Sequence, residues 1–412
     1  MARFPDEFFW STATAAHQVE GDNSNCDIWV MEQTPHSMFR EKSGTACDHY
    51  HRFPDDIRLL ADLGFNSYRF SIEWARVEPV PGEFSNHALD HYRQMLQCCH
   101  DHNLQPFVTL HHFTSPIWLI QEGGWLSERT PERFAGYARQ VTETLGDLIS
   151  GICTINEANI GRVLTSSGMM PPLSVLKAGD AWQEAASAMN VTTDDFMPFL
   201  FATSDRAMEI VMQAHHKAMA EIRSINADIP SGVTLAVQDI VAIPGGESIA
   251  AEQRHQVNDV YLNQLGNDDF VGVQCYSRHR FDSEGPIGPE AGVELTQMGY
   301  EFWPQALESS IRQAHAGSGL PVLVTENGIA TGDDARRQAF VEQALRGVAS
   351  CLDDGIPVLG YTYWSALDNF EWMLGYEPTF GLIAVDRATQ ARTVKDSARW
   401  LGQISRSGEL PD

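Results

Sequence analysis

The chain has 412 residues, 43% of them hydrophobic, and its 55 Asp and Glu against 28 Lys and Arg give a formal net charge of −27. That balance argues against nucleic acid and against anionic membrane surfaces as partners, since both recruit basic patches. An acidic solubilising surface is enough to explain it.

The N-terminal stretch Met1-Ala2-Arg3-Phe4-Pro5-Asp6 runs into a strand-like segment without a basic-then-apolar leader. No apolar run reaches the roughly 18 residues of a membrane helix. A soluble cytoplasmic protein is therefore expected. In chain order, β-forming runs occupy 8–14, 66–72, 106–111, 152–155, 233–237, 270–275, 322–325 and 358–363. The runs at 152–155 and 322–325 are almost wholly apolar and β-branched, the pattern of strands buried on both faces of a parallel sheet.

Helical signals fall between them. Residues 54–63 place Ile57, Leu60 and Leu63 on one face and stop at Gly64. Thr130 reads as an N-cap with Pro131 at the first helical position, followed by Phe134, Ala138, Val141 and Leu145 at helical spacing. Segments 207–225, 303–314 and 336–352 behave alike. Eight β/α alternations without a Pro/Gly/Ser-rich linker predict one catalytic domain over 1–412, a closed (β/α)₈ TIM barrel with elaborated βα loops. One stretch breaks the rhythm: 160–205 is rich in Met, Phe and Trp, follows the fourth strand, and is expected to overhang the mouth of any site there.

No Gly-x-Gly-x-x-Gly follows a strand and no Walker-type loop is present, so no nucleotide cofactor is expected. The seven cysteines, with Cys98 and Cys99 adjacent and no CxxC, read as reduced, mostly buried thiols. Among 15 histidines, a metal would be sought at His49/His51, His111/His112 or His215/His216. Neighbouring residues on a strand point to opposite faces, which separates His111 from His112. No metal is expected.

The chemistry centres on Thr154-Ile155-Asn156-Glu157 and Thr325-Glu326-Asn327-Gly328, each placing a glutamate at the C-terminal end of a predicted strand. In parallel α/β folds that end carries the ligand. Two carboxyl groups are what glycosidic cleavage requires, one to protonate the leaving oxygen and one to attack or stabilise the anomeric centre. At the roughly 5.5 Å of a retaining pair and an effective dielectric near 20 they repel by about 3 kcal/mol, so one keeps its proton. Arg69, in Tyr68-Arg69-Phe70-Ser71, is placed to hold the other ionised.

Seven motifs together carry a resemblance over nearly the whole chain: Phe9-Trp10-Ser11 through Gln18-Val19-Glu20-Gly21; Asp48-His49-Tyr50; Tyr68 through Trp74; Thr109-Leu110-His111-His112 with Pro116; the two glutamate strings; and Tyr363-Trp364-Ser365-Ala366-Leu367-Asp368-Asn369-Phe370-Glu371-Trp372. The sequence resembles glycoside hydrolase family 1, the β-glucosidase family. The resemblance implies Glu157 as general acid/base and Glu326 as nucleophile. It also implies sugar contacts from Gln18, His112, Asn156, Glu371 and Trp372, an aromatic floor at Trp364, Phe380 at the sugar's far edge, and Tyr276 and Arg69 supporting the nucleophile. The implied activity is retaining hydrolysis of β-D-glucosides, with fucosides and galactosides as further donors. Three positions depart from the family pattern: Gln274 where Asn is common, Ala158 for Pro, and Thr379 for Arg. The extra methylene of Gln274 leaves its role open. Two alternative readings are a 6-phospho-β-glycosidase, opposed by Glu371, and a silent glycan-binding barrel, opposed by retention of both carboxylates.

Overall fold

A computed structural model describes residues 2–411. All eight predicted strands form: β1 (Phe9–Ala13), β2 (Ser67–Ser71), β3 (Gln105–His111), β4 (Gly151–Ile155), β5 (Ser231–Gly232, resuming at Thr234–Ala236), β6 (Val271–Gln274), β7 (Val322–Asn327) and β8 (Val358–Trp364). Every neighbouring pair is parallel. The ring closes where Gly360 of β8 sits opposite Phe9 of β1.

β5 is the seam. Its first half pairs with β4, Ile152 opposite Ser231, and its second half with β6, Thr234 opposite Gly272. Only Val233 separates the halves, and its carbonyl accepts from the Gly272 amide at 2.9 Å. One short strand thus serves both neighbours in turn, and the eight strands form a TIM barrel.

The N-terminal end of the barrel is plugged by Phe9, Phe107, Phe270 and Leu323, with the Phe9 and Phe107 rings 5.0 Å apart. Glycine makes the room. A Cβ on Gly151 would sit 2.3 Å from the Phe107 ring, and one on Gly360 would sit 2.5 Å from Phe9 Cβ. With that end filled by side chains, a ligand can enter only at the opposite face.

The helices depart from expectation mainly at their starts. α1 (His49–Leu63) begins five residues before the predicted segment 54–63, after Asp48 in the left-handed region, and ends as expected at left-handed Gly64. In α2 (Thr130–Leu145) the N-cap is Arg129, not Thr130. Thr130 is already helical, and its hydroxyl donates to the Gly124 carbonyl at 2.6 Å, a contact to the turn before the helix that outcompetes capping its own helix. The 160–205 excursion folds into α3 (Ile160–Ser166), two further short helices, Leu173–Ala178 and Asp180–Ala188, and a 3₁₀ turn, Phe199–Phe201. Trp182 anchors it, packing against Phe196 and Phe201 at 4.7 and 5.2 Å and donating to the Thr193 carbonyl. α4 (Asp205–Ile225) and α5 (Asp396–Ser407) resume the outer layer. All seven cysteines are free thiols. No helix among the described residues is long and apolar enough to cross a membrane.

Candidate active site

Glu326 lies inside β7, where the register against β6 slips between Val324 and Glu326. Its carboxylate accepts from Arg69 Nη1 at 2.7 Å and from the Tyr276 hydroxyl at 2.6 Å. Arg69 stands mid-strand in β2. From there its Nη2 reaches Asn156 Oδ1 at 2.5 Å, so one guanidinium clamps a residue within β7 and the residue that follows β4.

Glu157 lies two residues beyond β4 with φ of 44°, left-handed backbone that a non-glycine residue adopts at a cost of about 1 kcal/mol or more. Thr234, just past the seam in β5, supports it: the Glu157 amide donates to Thr234 Oγ1 at 2.9 Å, and the Ala158 amide to the Thr234 carbonyl at 3.0 Å. No protein group among the described residues hydrogen-bonds the Glu157 carboxyl.

The electrostatics of the two carboxyls differ accordingly. Burial pushes Glu157 well above the ordinary carboxylate range, and the charges of Glu326 and Glu371 push it further against the pull of Arg69. Burial also raises Glu326, but the Arg69 charge and the hydrogen bonds from Tyr276 and Arg69 oppose the rise. Of the pair, Glu326 ionises first and Glu157 keeps the proton.

Gln274 has a definite place. Its Nε2 donates to Asn156 Oδ1 at 2.8 Å and to Thr234 Oγ1 at 3.1 Å. The extra methylene carries the amide from β6 across to the residues around the acidic pair. Asn156 Oδ1 is thereby held from two sides, while its Nδ2 has no protein partner.

At the other end of the site Gln18 Nε2 donates to the Phe370 carbonyl at 2.7 Å, Asn369 Oδ1 at 3.2 Å and Glu371 Oε2 at 3.5 Å, leaving Oε1 unpartnered. His112 is stacked between Trp364 and Trp372, with ring centroids 5.7 and 6.2 Å away. Burial drives its pKa well down, so the ring is neutral. His111 faces the other way, edge-on to Trp125 and Phe199. Burial, then the Glu326 charge, lifts Glu371 to about 8, against hydrogen bonds from Trp364 and Gln18. Trp372, at φ 48°, is also in the left-handed region, as is Phe113 at φ 70°, and Phe380 packs edge-on against Tyr276.

These groups enclose a cavity of about 400 Å³ at the C-terminal face of the barrel. His112, Asn156, Glu157, Tyr276, Glu326, Trp364, Glu371, Trp372 and Phe380 all line it, while Gln18, Arg69 and Gln274 stand behind them. Thr234 and Tyr300 also belong to the site or its support and carried no sequence signal, being an ordinary strand threonine and a loop tyrosine; Asn369, inside the Tyr363–Trp372 motif but given no role there, supports Gln18. Among the described residues no group of three or more His, Cys, Asp or Glu is arranged to hold a metal ion. His49 is bonded to Asp56 and His215 to Thr154.

The family profile described as Glycosyl hydrolase family 1 matches residues 1–274 and 279–409. The crystal structure of beta-glycosidase BGL167 is 49% identical and superposes with a TM-score of 0.96 over 99% of both chains. The beta-glucosidase from Thermotoga maritima in complex with deoxynojirimycin is 26% identical, with a TM-score of 0.86 over 100% of both chains. The bifunctional beta-D-glucosidase/beta-D-fucosidase of Bifidobacterium breve is 30% identical, over 96% of this chain and 97% of its own. With barrel, acidic pair and full-length similarity in agreement, the chain belongs to glycosyl hydrolase family 1 and is a glycosidase.

Proposed function

We propose that the protein is a retaining β-glucosidase, one catalytic unit over residues 1–412, that removes terminal non-reducing β-D-glucosyl residues by double displacement. The observation that carries this reading is the unequal support of the two carboxyls: Glu326 is gripped by Arg69 and Tyr276, whereas no group among the described residues hydrogen-bonds the Glu157 carboxyl.

In the first step the ionised Glu326 attacks the anomeric carbon while Glu157 protonates the departing oxygen. A covalent ester then removes the Glu326 charge, and with it one of the influences holding the Glu157 pKa up. Glu157 loses its proton to the leaving group and, now more acidic, serves as the base for the incoming water. Asn156 Nδ2, fixed through its Oδ1, donates to the 2-hydroxyl, where contacts tighten in the transition state. Glu371, backed by Gln18, engages hydroxyls at the far end, His112 and Trp372 donate from ring nitrogens, and Trp364 with Phe380 packs the sugar's C–H faces. The glucosidase and fucosidase activities named for relatives support glucose and fucose as donors, and galactose is a further donor on the same proposal.

A phosphorylated donor is disfavoured for a different reason than charge repulsion, because Glu371 at about 8 is largely neutral at pH 7. The cavity lining offers no lysine, and its one arginine, Arg278, is already bonded to Glu301. The deciding experiment is Glu326→Gly with azide and nitrophenyl β-D-glucoside. Turnover is expected to collapse and to return as α-glucosyl azide; a β-azide product would reverse the assignment of the two glutamates.

A further inference from the structure

Thr379, one of the three departures from the family pattern, sits where the loops leaving β6, β7 and β8 meet. Its amide donates to Gln297 Oε1 at 2.9 Å, and its hydroxyl lies 3.0 Å from both Gln297 Oε1 and the Thr331 carbonyl. Backbone bonds run alongside: the Gln297 amide donates to the Ala330 carbonyl at 3.0 Å, and the Thr331 amide to the Thr379 carbonyl at 3.2 Å. Beneath them the buried Arg337 donates through Nη2 to the carbonyls of Thr331 and Thr379, at 2.6 and 2.8 Å, and pairs with Asp334. The β7 and β8 loops are thus pinned by a buried cation, and the β6 loop is tied to them at Gln297.

The tie bears on the cavity through the next residue. Met298 packs on the cluster of Ala13, Ala15, Ala330, Trp364 and Phe380, and it lines the cavity together with Phe380. It stands on a tight turn in which the Met298 and Tyr300 amides both donate to Thr296 Oγ1, and the Thr296 amide to the Tyr300 carbonyl. Such a turn moves as a unit, so the anchoring of Gln297 decides where Met298 sits.

Where that wall meets a donor follows from the nucleophile. An anomeric carbon has two ring neighbours, C2 and the ring oxygen. Glu326 Oε1 faces Arg69, whose guanidinium also holds Asn156, the residue assigned to the 2-hydroxyl, while Oε2 faces Tyr276. Tyr276 therefore marks the ring-oxygen side. The carbons beyond that oxygen, C5 and C6, meet Phe380, which is edge-on to Tyr276, and Met298.

We infer that the Gln297–Thr379 tie sets specificity at C6: it seats Met298 beside Phe380 as an apolar wall for that carbon, so that a 6-deoxy donor is gripped through its methyl group. Gln297 and Thr379 are positioning residues that touch no substrate. The inference rests on the donor orientation given under Proposed function.

Nitrophenyl β-D-xyloside, 6-deoxy-β-D-glucoside and β-D-glucoside isolate the effect, because they differ only in having no C6, a methyl and a hydroxymethyl. One carbon in a closed apolar pocket is worth about tenfold, and kcat/KM for the 6-deoxyglucoside should exceed that for the xyloside by about that factor. Gln297→Met removes the acceptor at an exposed position and should cut this ratio at least about threefold. The loss should fall on KM for the 6-deoxyglucoside and leave the xyloside unchanged, since the wall grips ground state and transition state alike. Gln297→Glu, which keeps an acceptor oxygen, should restore the ratio. An unchanged ratio in Gln297→Met, or an equal loss in Gln297→Glu, overturns the tie, and an unchanged ratio in Met298→Ala overturns the wall. Calorimetric binding of methyl 1-thio-β-D-xyloside and its 6-deoxyglucoside counterpart reads the same wall without turnover. A 6-deoxy preference in binding that disappears in Gln297→Met, in a protein that hydrolyses no glycoside, would keep the tie and sink the glucosidase reading. Hydrolysis of the donors with a ratio indifferent to Gln297→Met would do the reverse.

Discussion

Glu157 and Glu326 differ less in their own chemistry than in what surrounds them, and that difference sets a pH profile. The proposed mechanism needs Glu326 ionised and Glu157 protonated, and on it the rate falls below the pKa of the first and above that of the second. Both are shifted up from the ordinary carboxylate value, Glu157 further, which places the alkaline limb on Glu157. Glu157→Gln, assayed on dinitrophenyl β-glucoside, whose leaving group needs no proton, should retain the acid limb and lose the alkaline one. Persistence of the alkaline limb would assign it elsewhere. Gln274 makes a second residue-scale prediction. Gln274→Asn withdraws the amide from Asn156 Oδ1 and should lower kcat/KM for glucosides by about tenfold, roughly the value of one charge-adjacent hydrogen bond. The loss should be much smaller for 2-deoxyglucosides, which have no 2-hydroxyl for Asn156 to meet. The acidic pair was legible in the sequence because a charged residue at a buried strand end is conspicuous, and Arg69 because an arginine inside a predicted buried strand is equally so. Gln274 and Thr234 were not, because the contact of Gln274 with Asn156 spans 118 residues and a strand threonine looks like β-propensity alone.

At the scale of elements, the eight strands were readable because buried parallel strands leave unbroken apolar runs. Helix starts were less so. The Thr130 hydroxyl is diverted to Gly124, and the first turn of α1 depends on a left-handed Asp48, both consequences of tertiary neighbours. Packing between helices has the same character. A Cβ on Gly402 of α5 would lie 1.9 Å from the carbonyl oxygen of Leu63 at the end of α1. The clash is with backbone, which cannot swing aside. Gly402→Ala should therefore destabilise the protein by about 1–3 kcal/mol, read as a lower thermal midpoint; an unchanged midpoint would mean the two helices separate freely. The excursion at 160–205 was visible as a composition change, but its three short helices and the cavity-facing side of α3 were not, since seven residues are too few to show a period.

Over the whole molecule, buried carboxyls give stability a direction with pH. Burial raises Asp27 to about 7 despite the amides of Ser115 and Ile28, and Glu371 to about 8. Native Asp27 keeps its proton where the unfolded chain has lost it, so unfolding releases a proton and is favoured as pH rises. Each such group contributes stability that is complete below about pH 4 and lost by pH 7–8, at up to about 1.4 kcal/mol per pH unit. Asp56 works in the opposite sense: burial would raise it, but His49 and Arg392 bring it below its ordinary value, and its contribution is lost in acid. The thermal midpoint should accordingly be highest near pH 4–5 and decline toward pH 8. Asp27→Asn, which keeps the acceptor for both amides, should flatten that decline; an unaltered slope would show that Asp27 is not buried as a neutral acid.

Ring closure has a further consequence, in time. Thr12 of β1 bonds to the Tyr363 carbonyl of β8, a partner 351 residues later in the chain. At synthesis rates of about 5–20 residues per second, β1 waits roughly 20 to 70 seconds for that neighbour. Throughout the wait the growing polypeptide carries an open β edge of the kind that pairs with other chains. Mutual repulsion between chains whose finished charge is −27 opposes such pairing until β8 emerges and seals the ring.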